Sequence, residues 1–339
     1  MRVFQIENDW GFENLNLTSR PTPKPGPREV IVEMRAASLN ARDLIVPVRG
    51  YGRATGTLPL IPVSDGVGTV VEIGERVTRV RSGDRVCPTY FQNWASGPPN
   101  PDRLASGLGG PIDGVMADRI CLPEDGMVRV PEYLSDLEAA TLPCAGLTAW
   151  SAVSKLARVG PGDRVLVQGT GGVALFALAF AKLHGAHVTV ISSSDERLER
   201  VRHLGADETL NYVQVPDWAK ATRDMTADKG GFDAIVELGG AKTLPLSLRA
   251  VRPGGTIAMI GVLSGLEMSA SLGPIVTRQI RLQGVTVGHR DSFEAMLAAM
   301  EQHSVHPILG ESFAFEDFHE ALTALKGGDR FGKTLIRFG

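Results

Sequence analysis

The segment Arg164–Lys182, RVLVQGTGGVALFALAFAK, constrains the fold of this chain more than any other. A short β-branched run precedes a glycine turn, and an apolar stretch with helical character follows it. Gly169, Gly171 and Ala174 have the spacing G-x-G-x-x-G/A that opens a dinucleotide-binding βαβ unit. The first glycine permits a sharp turn, the second lets the backbone approach a pyrophosphate, and the alanine lets the helix lie close to the sheet. A glycine turn that binds nothing is the alternative, but the flanking strand and helix favour a cofactor.

The residues around these glycines are predicted to contact phosphates as well. Thr170, Gly172 and Val173 form the turn and the start of the helix. The first N–H groups of a helix lack partners within the helix, and the dipole of the helix favours an anion at that end. The sequence therefore predicts a phosphate site at this helix N-terminus.

Strand and helix patterns alternate from about Gly162 onward, as βαβ units require. Candidate strands lie at Val165–Gln168, His187–Ile191, Glu208–Asn211, Phe232–Glu237, Gly255–Ile260 and Arg281–Val287. The helices between them are predicted to begin near Gly172, Asp195, Asp217 and Ala241. This pattern predicts an α/β fold with one doubly wound parallel sheet of about six strands and helices on both faces.

The preceding part of the chain has a different pattern. Short runs rich in valine and isoleucine are separated by proline and glycine clusters, and they lie at Val30–Glu33, Gly68–Ile73, Arg85–Cys87 and Arg119–Leu122. They favour an antiparallel barrel. After the parallel sheet, helices at Ser292–Met300 and Phe315–Leu325 and a strand at Lys333–Phe338 are predicted to return to this first domain. The predicted domain ranges are 1–124, 125–288 and 289–339.

Composition excludes several function classes. The net charge of −3 gives no basic surface for nucleic acid. The longest apolar run, Val173–Ala181, is far shorter than the roughly 20 residues that span a bilayer. The first ten residues, MRVFQIENDW, lack the apolar run of a secretory signal, and three unevenly spaced cysteines do not suggest a disulfide framework. A cytoplasmic protein without a membrane or nucleic-acid partner is expected.

Several short motifs together resemble one enzyme family. They are Ser38-Leu39-Asn40-Ala41-Arg42-Asp43, Pro62-Val63-Ser64-Asp65-Gly66-Val67-Gly68, Ser82-Gly83-Asp84-Arg85-Val86, the run Leu142–Trp150, the fingerprint above and Arg252-Pro253-Gly254-Gly255. The chain resembles the medium-chain dehydrogenases/reductases over nearly its whole length, and their zinc-free quinone oxidoreductase-like branch more than the zinc alcohol dehydrogenases. The resemblance implies a GroES-like barrel with a Rossmann domain, NAD(P)-dependent hydride transfer to a small-molecule substrate, and a homodimer.

The metal-ligand positions of the zinc enzymes are occupied differently in this chain. Where those enzymes carry a catalytic cysteine this chain has Asn40, and where they carry a His-Glu pair it has Ser64-Asp65. All seven histidines lie at or after His184, and the segment 88–111, in place of the four-cysteine zinc lobe, contains no cysteine. We interpret Cys144 as a buried small hydrophobic residue. Since a tetrahedral site needs three protein ligands, no metal is predicted.

Without a metal, hydrogen bonds must stabilise the charge that develops on the substrate oxygen. The resemblance places Asn40 and Asp43 on the loop that faces the nicotinamide, and we predict both as catalytic. We interpret Arg42 and Arg49 as surface or phosphate-facing charges rather than catalysts.

Three aromatic residues each have two interpretations. Tyr51 either contacts substrate, which is the candidate role we assign it, or covers the cleft as a loop aromatic. Phe91 and Trp94, in the polar and glycine-rich segment 88–111, either line an aromatic pocket or anchor that segment. Loops of this length are usually functional or flexible.

The end of the second predicted parallel strand indicates the nucleotide. NAD-binding units usually carry an acid there for the ribose 2′-OH. Here Ser192 and Ser193 follow the strand, and their hydroxyls suit a 2′-phosphate. Arg197 is placed to pair with that phosphate. NADP is predicted over NAD. The competing interpretation is that Ser193 and Glu196 form a capping box of the next helix, a role compatible with phosphate binding. A further alternative is that Asp195 bends back toward a ribose.

The remaining cofactor contacts follow from the resemblance alone: Thr148, Tyr212, Gly239, Ile260, Gly261, Val262, Leu263, His289, Arg290 and Lys333. For His289 an exposed loop histidine is an equal alternative, and for Lys333 a solvated lysine at the end of a turn. We interpret Glu237 as a strand-end hydrogen-bonding residue rather than a general base.

The leading functional hypothesis is an NADPH-dependent, zinc-independent reductase of quinones, α,β-unsaturated carbonyls or aldehydes. A zinc-free alcohol dehydrogenase and a non-catalytic NADPH-binding sensor or structural protein are the alternatives. A homodimer is expected through the edge strand at Ile280–Val287.

Overall fold

The computed structural model describes residues 1–328 and 331–339. It divides into two units, one formed by Met1–Leu147 with Val287–Gly339 and the other by Thr148–Thr286. The first unit extends beyond the predicted boundary at residue 124, because the helix Asp136–Ala139 packs against strands of that unit. The chain re-enters the first unit at Val287, close to the predicted boundary at residue 288.

The strands of the described residues are β1 (Arg2–Ile6), β2 (Leu15–Ser19), β3 (Glu29–Ser38), β4 (Asp65–Ile73), β5 (Arg85–Pro88), β6 (Arg119–Pro123), β7 (Met127–Arg129), β8 (Arg164–Gln168), β9 (His187–Ser192), β10 (Glu208–Asn211), β11 (Phe232–Glu237), β12 (Val251–Met259), β13 (Arg281–Gly284), β14 (Leu309–Ala314) and β15 (Lys333–Arg337).

The α-helices are α1 (Pro101–Leu104), α2 (Asp136–Ala139), α3 (Leu147–Trp150), α4 (Gly172–Leu183), α5 (Asp195–His203), α6 (Trp218–Met225), α7 (Leu244–Ala250), α8 (Gly273–Thr277), α9 (Arg290–Gln302) and α10 (Phe318–Lys326). Short 3₁₀ turns lie at Phe12–Asn14, Ala41–Leu44, Gly52–Thr55, Glu124–Gly126 and Phe315–Asp317, and π-helical turns at Leu142–Gly146 and Ser151–Leu156. Within residues 1–328 and 331–339, every helix falls short of the length and hydropathy that crossing a bilayer requires.

The first unit contains a mainly antiparallel sheet in the order β14-β15-β3-β4-β5-β7, with β6 also paired to β3. Strand β3 is longer than the predicted Val30–Glu33, because its second half pairs with β15 through residues 36–38. Among the described strands of this sheet, β14 and β15 are the pair that runs parallel. Phe4, Phe315 and Phe318 meet in the core with ring centroids 5.1–5.2 Å apart. The last segment of the chain therefore belongs to the first unit.

The second unit contains a wholly parallel sheet in the order β10-β9-β8-β11-β12-β13. This order confirms the predicted doubly wound Rossmann sheet, whose strand order reverses between β8 and β11. Leu166, Phe232, Ile235 and Ile257 are buried in its core. Strand β12 begins earlier than predicted, at Val251, and the last strand ends earlier, at Gly284.

The segment 88–111 is folded rather than a free loop. Phe91, Trp94 and Leu108 are buried, and the short helix α1 lies between them in sequence. Backbone hydrogen bonds join its two sides, from Gln92 N to Ser106 O at 3.0 Å and from Leu108 N to Tyr90 O at 3.0 Å. Of the two interpretations of its aromatic residues, the structure favours anchoring.

Candidate active site

The glycine turn after β8 has the geometry that its sequence predicts. Gly169 has a φ of +81°, a conformation that suits glycine, and its N–H donates to Ile191 O at 2.7 Å. A Cβ added to Gly171 meets no described atom within 4 Å, so open space lies beside that backbone. Ala174 is buried in the first turn of α4, the helix that follows β8. The turn therefore leaves room for a ligand at the helix start.

The N-terminus of α4 has no side-chain cap among the described residues. Gly171 is its N-cap residue and has no side chain to accept the first N–H groups. Thr170 is buried beside it, and Gly172 and Val173 form the partly exposed first residues of the helix. A phosphate at this position satisfies N–H donors and complements the helix dipole. The residues present therefore fit a dinucleotide pyrophosphate.

The end of β9 differs in one detail from the prediction. The N-cap of α5 is Ser194, whose hydroxyl accepts a hydrogen bond from Arg197 N at 3.3 Å. The predicted capping box of Ser193 and Glu196 is therefore wrong, because the helix begins one residue later than that box requires. Instead, Ser193 accepts a hydrogen bond from Arg197 Nη2 at 2.9 Å. Ser192 is buried at the end of the strand.

The acid that follows the three serines is engaged with other residues. Asp195 Oδ1 accepts a hydrogen bond from Asn211 Nδ2 at 2.8 Å, and its Oδ2 accepts one from Gln214 Nε2 at 2.6 Å. These contacts hold the carboxylate against β10 and the residues after it. A serine hydroxyl and an arginine thus lie together at the end of β9, and Asp195 is hydrogen-bonded to other residues. This arrangement suits a phosphate better than a ribose hydroxyl.

Most of the other predicted cofactor residues of the second unit follow the carboxyl ends of its strands. Gly239 follows β11, and Ile260, Gly261, Val262 and Leu263 follow β12. Tyr212 follows β10 and is partly exposed, and Thr148 is buried at the start of α3. Ligands of open α/β sheets bind outside these strand ends. Their binding roles remain predictions.

In the first unit, Asn40 and Asp43 bracket the 3₁₀ turn that follows β3. Asn40 N donates to Asp43 Oδ2 at 2.7 Å, and Asp43 N donates to Asn40 O at 2.9 Å. Burial raises the pKa of Asp43 to about 6, although the Arg42 guanidinium opposes the shift. Its Oδ1 is buried and has no hydrogen-bond partner within the described part of the chain. A buried carboxylate oxygen without a hydrogen-bond partner is suited to accept a hydrogen bond from a polar ligand.

Lys333, at the start of β15, is buried beside this turn with 4% exposure. Its ammonium donates to Leu39 O at 2.6 Å and to the side-chain oxygen of Asn40. The positive charge of Lys333 also lowers the pKa values of Asp43 and Asp65 against the opposing effect of burial. The alternative of a solvated lysine at the end of a turn is therefore wrong.

Asp65 extends this cluster from the start of β4. Its Oδ1 accepts a hydrogen bond from Ser64 Oγ at 2.7 Å, and its Oδ2 accepts one from Cys144 N at 3.2 Å. Burial raises the pKa of Asp65, and it raises the pKa of the Cys144 thiol to about 12. The structure brings together Asn40, Ser64, Asp65 and Cys144, with the Lys333 ammonium interacting electrostatically with this group.

These residues do not fit a catalytic zinc. Zinc in catalytic sites takes three nitrogen, sulfur or carboxylate ligands and leaves one position open. Here the amide of Asn40 replaces one potential ligand and the hydroxyl of Ser64 replaces another. The Lys333 ammonium is already hydrogen-bonded to the Asn40 amide. Among residues 1–328 and 331–339, three or more histidine, cysteine or acidic side chains do not converge as a metal site needs.

Arg42 lies in the interior, so its interpretation as a surface or phosphate-facing charge is wrong. Its guanidinium donates to Leu108 O at 2.8 Å and to Gly110 O at 2.9 Å, and it lies 4.9 Å from the Tyr90 ring centroid. These contacts join the 3₁₀ turn Ala41–Leu44 to the segment 88–111. Arg49 is exposed, as expected.

Tyr51 is 46% exposed, between Arg49 and the 3₁₀ turn Gly52–Thr55. Partial burial raises the pKa of its phenol, and the Arg42 charge opposes the shift. The hydroxyl therefore remains a proton donor at neutral pH. Its contact with substrate remains a prediction.

His289 and Arg290 begin α9 in the first unit, and both contact residues of that unit. His289 Nδ1 accepts a hydrogen bond from Ser292 N at 3.1 Å, and its ring lies 5.7 Å from that of Trp94. Arg290 Nη1 donates to Asp125 O at 3.1 Å. His289 thus caps the N-terminus of α9. It is not the exposed loop histidine of the alternative interpretation.

Sequence reasoning did not name two polar residues as members of a site. Asp65 was treated only as a replaced metal ligand, and Gln168 only as the last residue of a strand. Both are buried polar side chains within apolar runs, and that signal is visible in the sequence.

Two profiles together match most of this chain. The profile of the alcohol dehydrogenase GroES-like domain matches residues 26–132, and that of the zinc-binding dehydrogenases matches residues 172–302. A zinc-type alcohol dehydrogenase-like protein of Schizosaccharomyces pombe is 39% identical over 334 residues, which cover 96% of each chain. The zinc-type alcohol dehydrogenase-like protein YogA of Leptosphaeria maculans is 34% identical, over 95% of this chain and 93% of that one. A solved NAD-dependent alcohol dehydrogenase is 33% identical, with a TM-score of 0.91 over 100% of both chains.

Proposed function

Because the chain belongs to the medium-chain dehydrogenase/reductase superfamily, we propose that it reduces quinones, α,β-unsaturated carbonyls or aldehydes with NADPH and without zinc. Membership makes it an NAD(P)-dependent oxidoreductase with a GroES-like domain and a Rossmann domain. The observation that carries the proposal is the uncapped start of α4 beside the open space at Gly171. That feature is a phosphate site in a parallel sheet of Rossmann order.

NADPH is proposed over NADH because of the side chains at the end of β9. Ser193 and Arg197 are hydrogen-bonded to each other there. Asp195, which follows the three serines, is hydrogen-bonded to Asn211 and Gln214. A guanidinium beside a hydroxyl stabilises a 2′-phosphate, whereas a carboxylate in that position repels it. One solved relative is named as NAD-dependent, so this preference is tested directly below.

Zinc independence is proposed from the ligands that this chain offers. The two fungal relatives carry "zinc-type" in their names. In this chain Asn40 and Ser64 supply neutral amide and hydroxyl groups, and Lys333 contributes a positive charge to the same cluster. A fixed ammonium repels a divalent cation by Coulomb's law.

In the proposed reaction, the bound dinucleotide supplies the hydride. Asn40 and Tyr51 donate hydrogen bonds to the substrate oxygen as negative charge develops there. Asp43 holds the turn that carries Asn40 through its hydrogen bond with Asn40 N. Lys333 keeps the side-chain oxygen of Asn40 occupied, so that the amide N–H groups are the groups left to donate.

Cofactor contacts are also proposed for the remaining predicted residues, in each unit by itself. In the second unit, Thr148, Gly239 and the run 260–263 would serve the nicotinamide half, and Tyr212 the adenosine half. In the first unit, Lys333 would contact the cofactor while holding Asn40. His289 and Arg290 would contribute from the start of α9, where both already contact their own unit.

A reversible alcohol dehydrogenase is the second candidate, because the relatives are named for that activity. Alcohol oxidation without zinc needs another base. Asp43 is a buried carboxyl with a pKa of about 6 and a free oxygen, and it is the residue that would serve.

The edge of the parallel sheet supports a homodimer. Strand β13 is the last in the order, and all four of its residues are exposed. Leu266, Leu272 and Val276, which precede it, are between 71% and 82% exposed. An unpaired strand edge beside an apolar surface is typical of a two-fold interface. Light scattering should report a dimer for the wild type and a monomer for Val276→Asp, whereas a monomeric wild type contradicts this proposal.

The experiment for the function is a screen of NADPH oxidation with chelator-treated protein of measured metal content. Quinones, enones and aldehydes form one panel, and alcohols with NADP form the other. Turnover in the first panel at negligible zinc supports the proposal. Turnover only with alcohols supports the second candidate. Near-stoichiometric zinc whose removal abolishes activity contradicts zinc independence, and tight NADPH binding without any turnover indicates a sensor.

A further inference from the structure

The carboxyl ends of β8, β11 and β12 meet at one buried acid, Glu237. It is the last residue of β11 and is 0% exposed. Its partners in the described residues are all neutral donors, drawn from several separate segments of the second unit. A carboxylate in the interior is retained only where its oxygens are fully hydrogen-bonded. The role of Glu237 therefore follows from the segments that its hydrogen bonds connect.

One oxygen of Glu237 organises the turn that follows β11. Oε1 accepts hydrogen bonds from Gly239 N and Gly240 N, both at 3.0 Å, and from the Thr243 hydroxyl. Gly240 has a φ of +86°, in the left-handed region that favours glycine. Backbone N–H groups that converge on one carboxylate oxygen hold such a turn in a single conformation.

The other oxygen connects that turn to the fingerprint strand. Oε2 accepts a hydrogen bond from Gln168 Nε2 at 2.7 Å and one from the Ser247 hydroxyl. The amide oxygen of Gln168 in turn accepts from Leu238 N at 3.1 Å and Gly239 N at 3.2 Å. Gln168 immediately precedes Gly169, the first fingerprint glycine. The phosphate turn and the turn after β11 thus share one hydrogen-bond network.

Backbone hydrogen bonds connect the turn after β12 to Glu237 and to the turn after β11. Ile260 N and Gly261 N donate to Glu237 O at 2.9 and 3.2 Å, and Ser264 N donates to Gly239 O at 2.7 Å. The two turns also pack closely, because a Cβ on Gly261 would lie 2.0 Å from Leu238 O. Movement of the turn after β11 therefore displaces residues 260–264 as well.

We propose that Glu237, together with Gln168, is a positioning residue that holds the three strand-end turns in the arrangement that binds the nicotinamide dinucleotide. This inference rests on the proposed function, since it takes that cofactor as the ligand of these turns. Glu237 lies at 0% exposure beneath the turns and acts through Gly239, Gly240 and residues 260–264. Its loss is expected to change cofactor affinity more than the chemical step.

The test compares Glu237→Gln with the exchanged pair Gln168→Glu/Glu237→Gln. The single variant replaces one acceptor oxygen by an NH₂ group that faces donors, whereas the exchanged pair restores one amide and one carboxylate. Glu208→Gln, at the exposed start of β10, is the matched control. We expect the Kd and KM for NADPH to rise at least about tenfold in the single variant, with kcat changed much less. The exchanged pair should recover most of the affinity.

Hydrogen exchange of the free protein supplies a readout that does not depend on the cofactor. The amides of residues 238–240 and 260–264 should exchange faster in Glu237→Gln than in the wild type, and at wild-type rates in Glu208→Gln. If Glu237→Gln does not fold, Thr243→Ala serves instead, because it removes one donor at a partly exposed position.

The outcomes separate the two proposals. A wild type that binds neither NADPH nor NADH overturns the proposed function, and with it the cofactor role of Glu237. A wild type that binds, with unchanged affinity and unchanged exchange in folded variants, overturns the role of Glu237 alone. A parallel loss of kcat and affinity that the exchanged pair does not rescue also contradicts a positioning role.

Discussion

The ammonium of Lys333 donates a hydrogen bond to the side-chain oxygen of Asn40, a residue 293 positions earlier in the chain. The contact joins the last strand to the turn that carries the proposed oxygen-binding group. It also brings a positive charge to a cluster with two buried acids, Asp43 and Asp65.

Removal of this ammonium should destabilise the protein and impair catalysis together. Lys333→Met leaves Leu39 O and the Asn40 oxygen without their donor, which should lower the free energy of unfolding by about 2–3 kcal/mol. Rotation of the released Asn40 amide should lower kcat by about a hundredfold. Urea denaturation and steady-state kinetics measure both effects. Lys326→Met, at an exposed position of α10, is the control. Wild-type kcat in a folded Lys333→Met protein would refute this role.

Asp43 should make folding stability depend on pH. Its pKa is about 6 in the folded protein, against an ordinary value of 3.8, so the folded state binds this proton more tightly than the unfolded chain. Stability therefore falls as the pH rises through the window from about 4 to about 6. Asp43→Asn removes that dependence and keeps an oxygen for Asn40 N.

Across this window, the free energy of unfolding of the wild type should fall by up to about 3 kcal/mol relative to Asp43→Asn. Urea denaturation of both proteins at several pH values measures the difference. Parallel curves for the two proteins would show that Asp43 ionises normally in the folded state.

Gly171 allows cofactor binding to be separated from folding. A Cβ at this position meets no described atom within 4 Å and φ is −80°, so Gly171→Ala should leave Tm nearly unchanged. The added methyl group instead occupies the space proposed for the pyrophosphate, and the Kd for NADPH should rise at least about tenfold. Calorimetry and thermal unfolding test this pair of outcomes, with Gly160→Ala as control. Undiminished NADPH affinity would place the phosphates elsewhere.

Arg197 should decide between the two nucleotides. Arg197→Glu puts a carboxylate where a 2′-phosphate is proposed, so the KM for NADPH should rise about a hundredfold while that for NADH changes little. Arg202→Glu, on the exposed side of the same helix, controls for the change in net charge. Equal effects on both nucleotides would refute the assignment of NADP.

Local patterns predicted much of the second unit. The run from Val165 to Ala174 contains its own strand, turn and helix start, so neighbouring residues alone define it. The N-cap of α5 was misassigned because Ser192, Ser193 and Ser194 are equivalent in the sequence, and only the helix start at Asp195 distinguishes them.

The cluster in the first unit was less accessible to sequence reasoning, because its contacts are distant along the chain. Arg42 is buried because it meets carbonyl groups of Leu108 and Gly110, 66 and 68 positions away. The position of Lys333 depends likewise on β15 pairing with β3. Charged residues default to the surface when only their neighbours are known. That default was wrong for Arg42, and for Lys333 it was the alternative to a cofactor contact.

The most direct test of the account is a calorimetric titration of purified protein, of measured metal content, with NADPH and then with NADH. We expect one NADPH bound per chain at negligible zinc, with NADH binding at least about tenfold more weakly. Binding of neither nucleotide, or binding that requires added zinc, would contradict it.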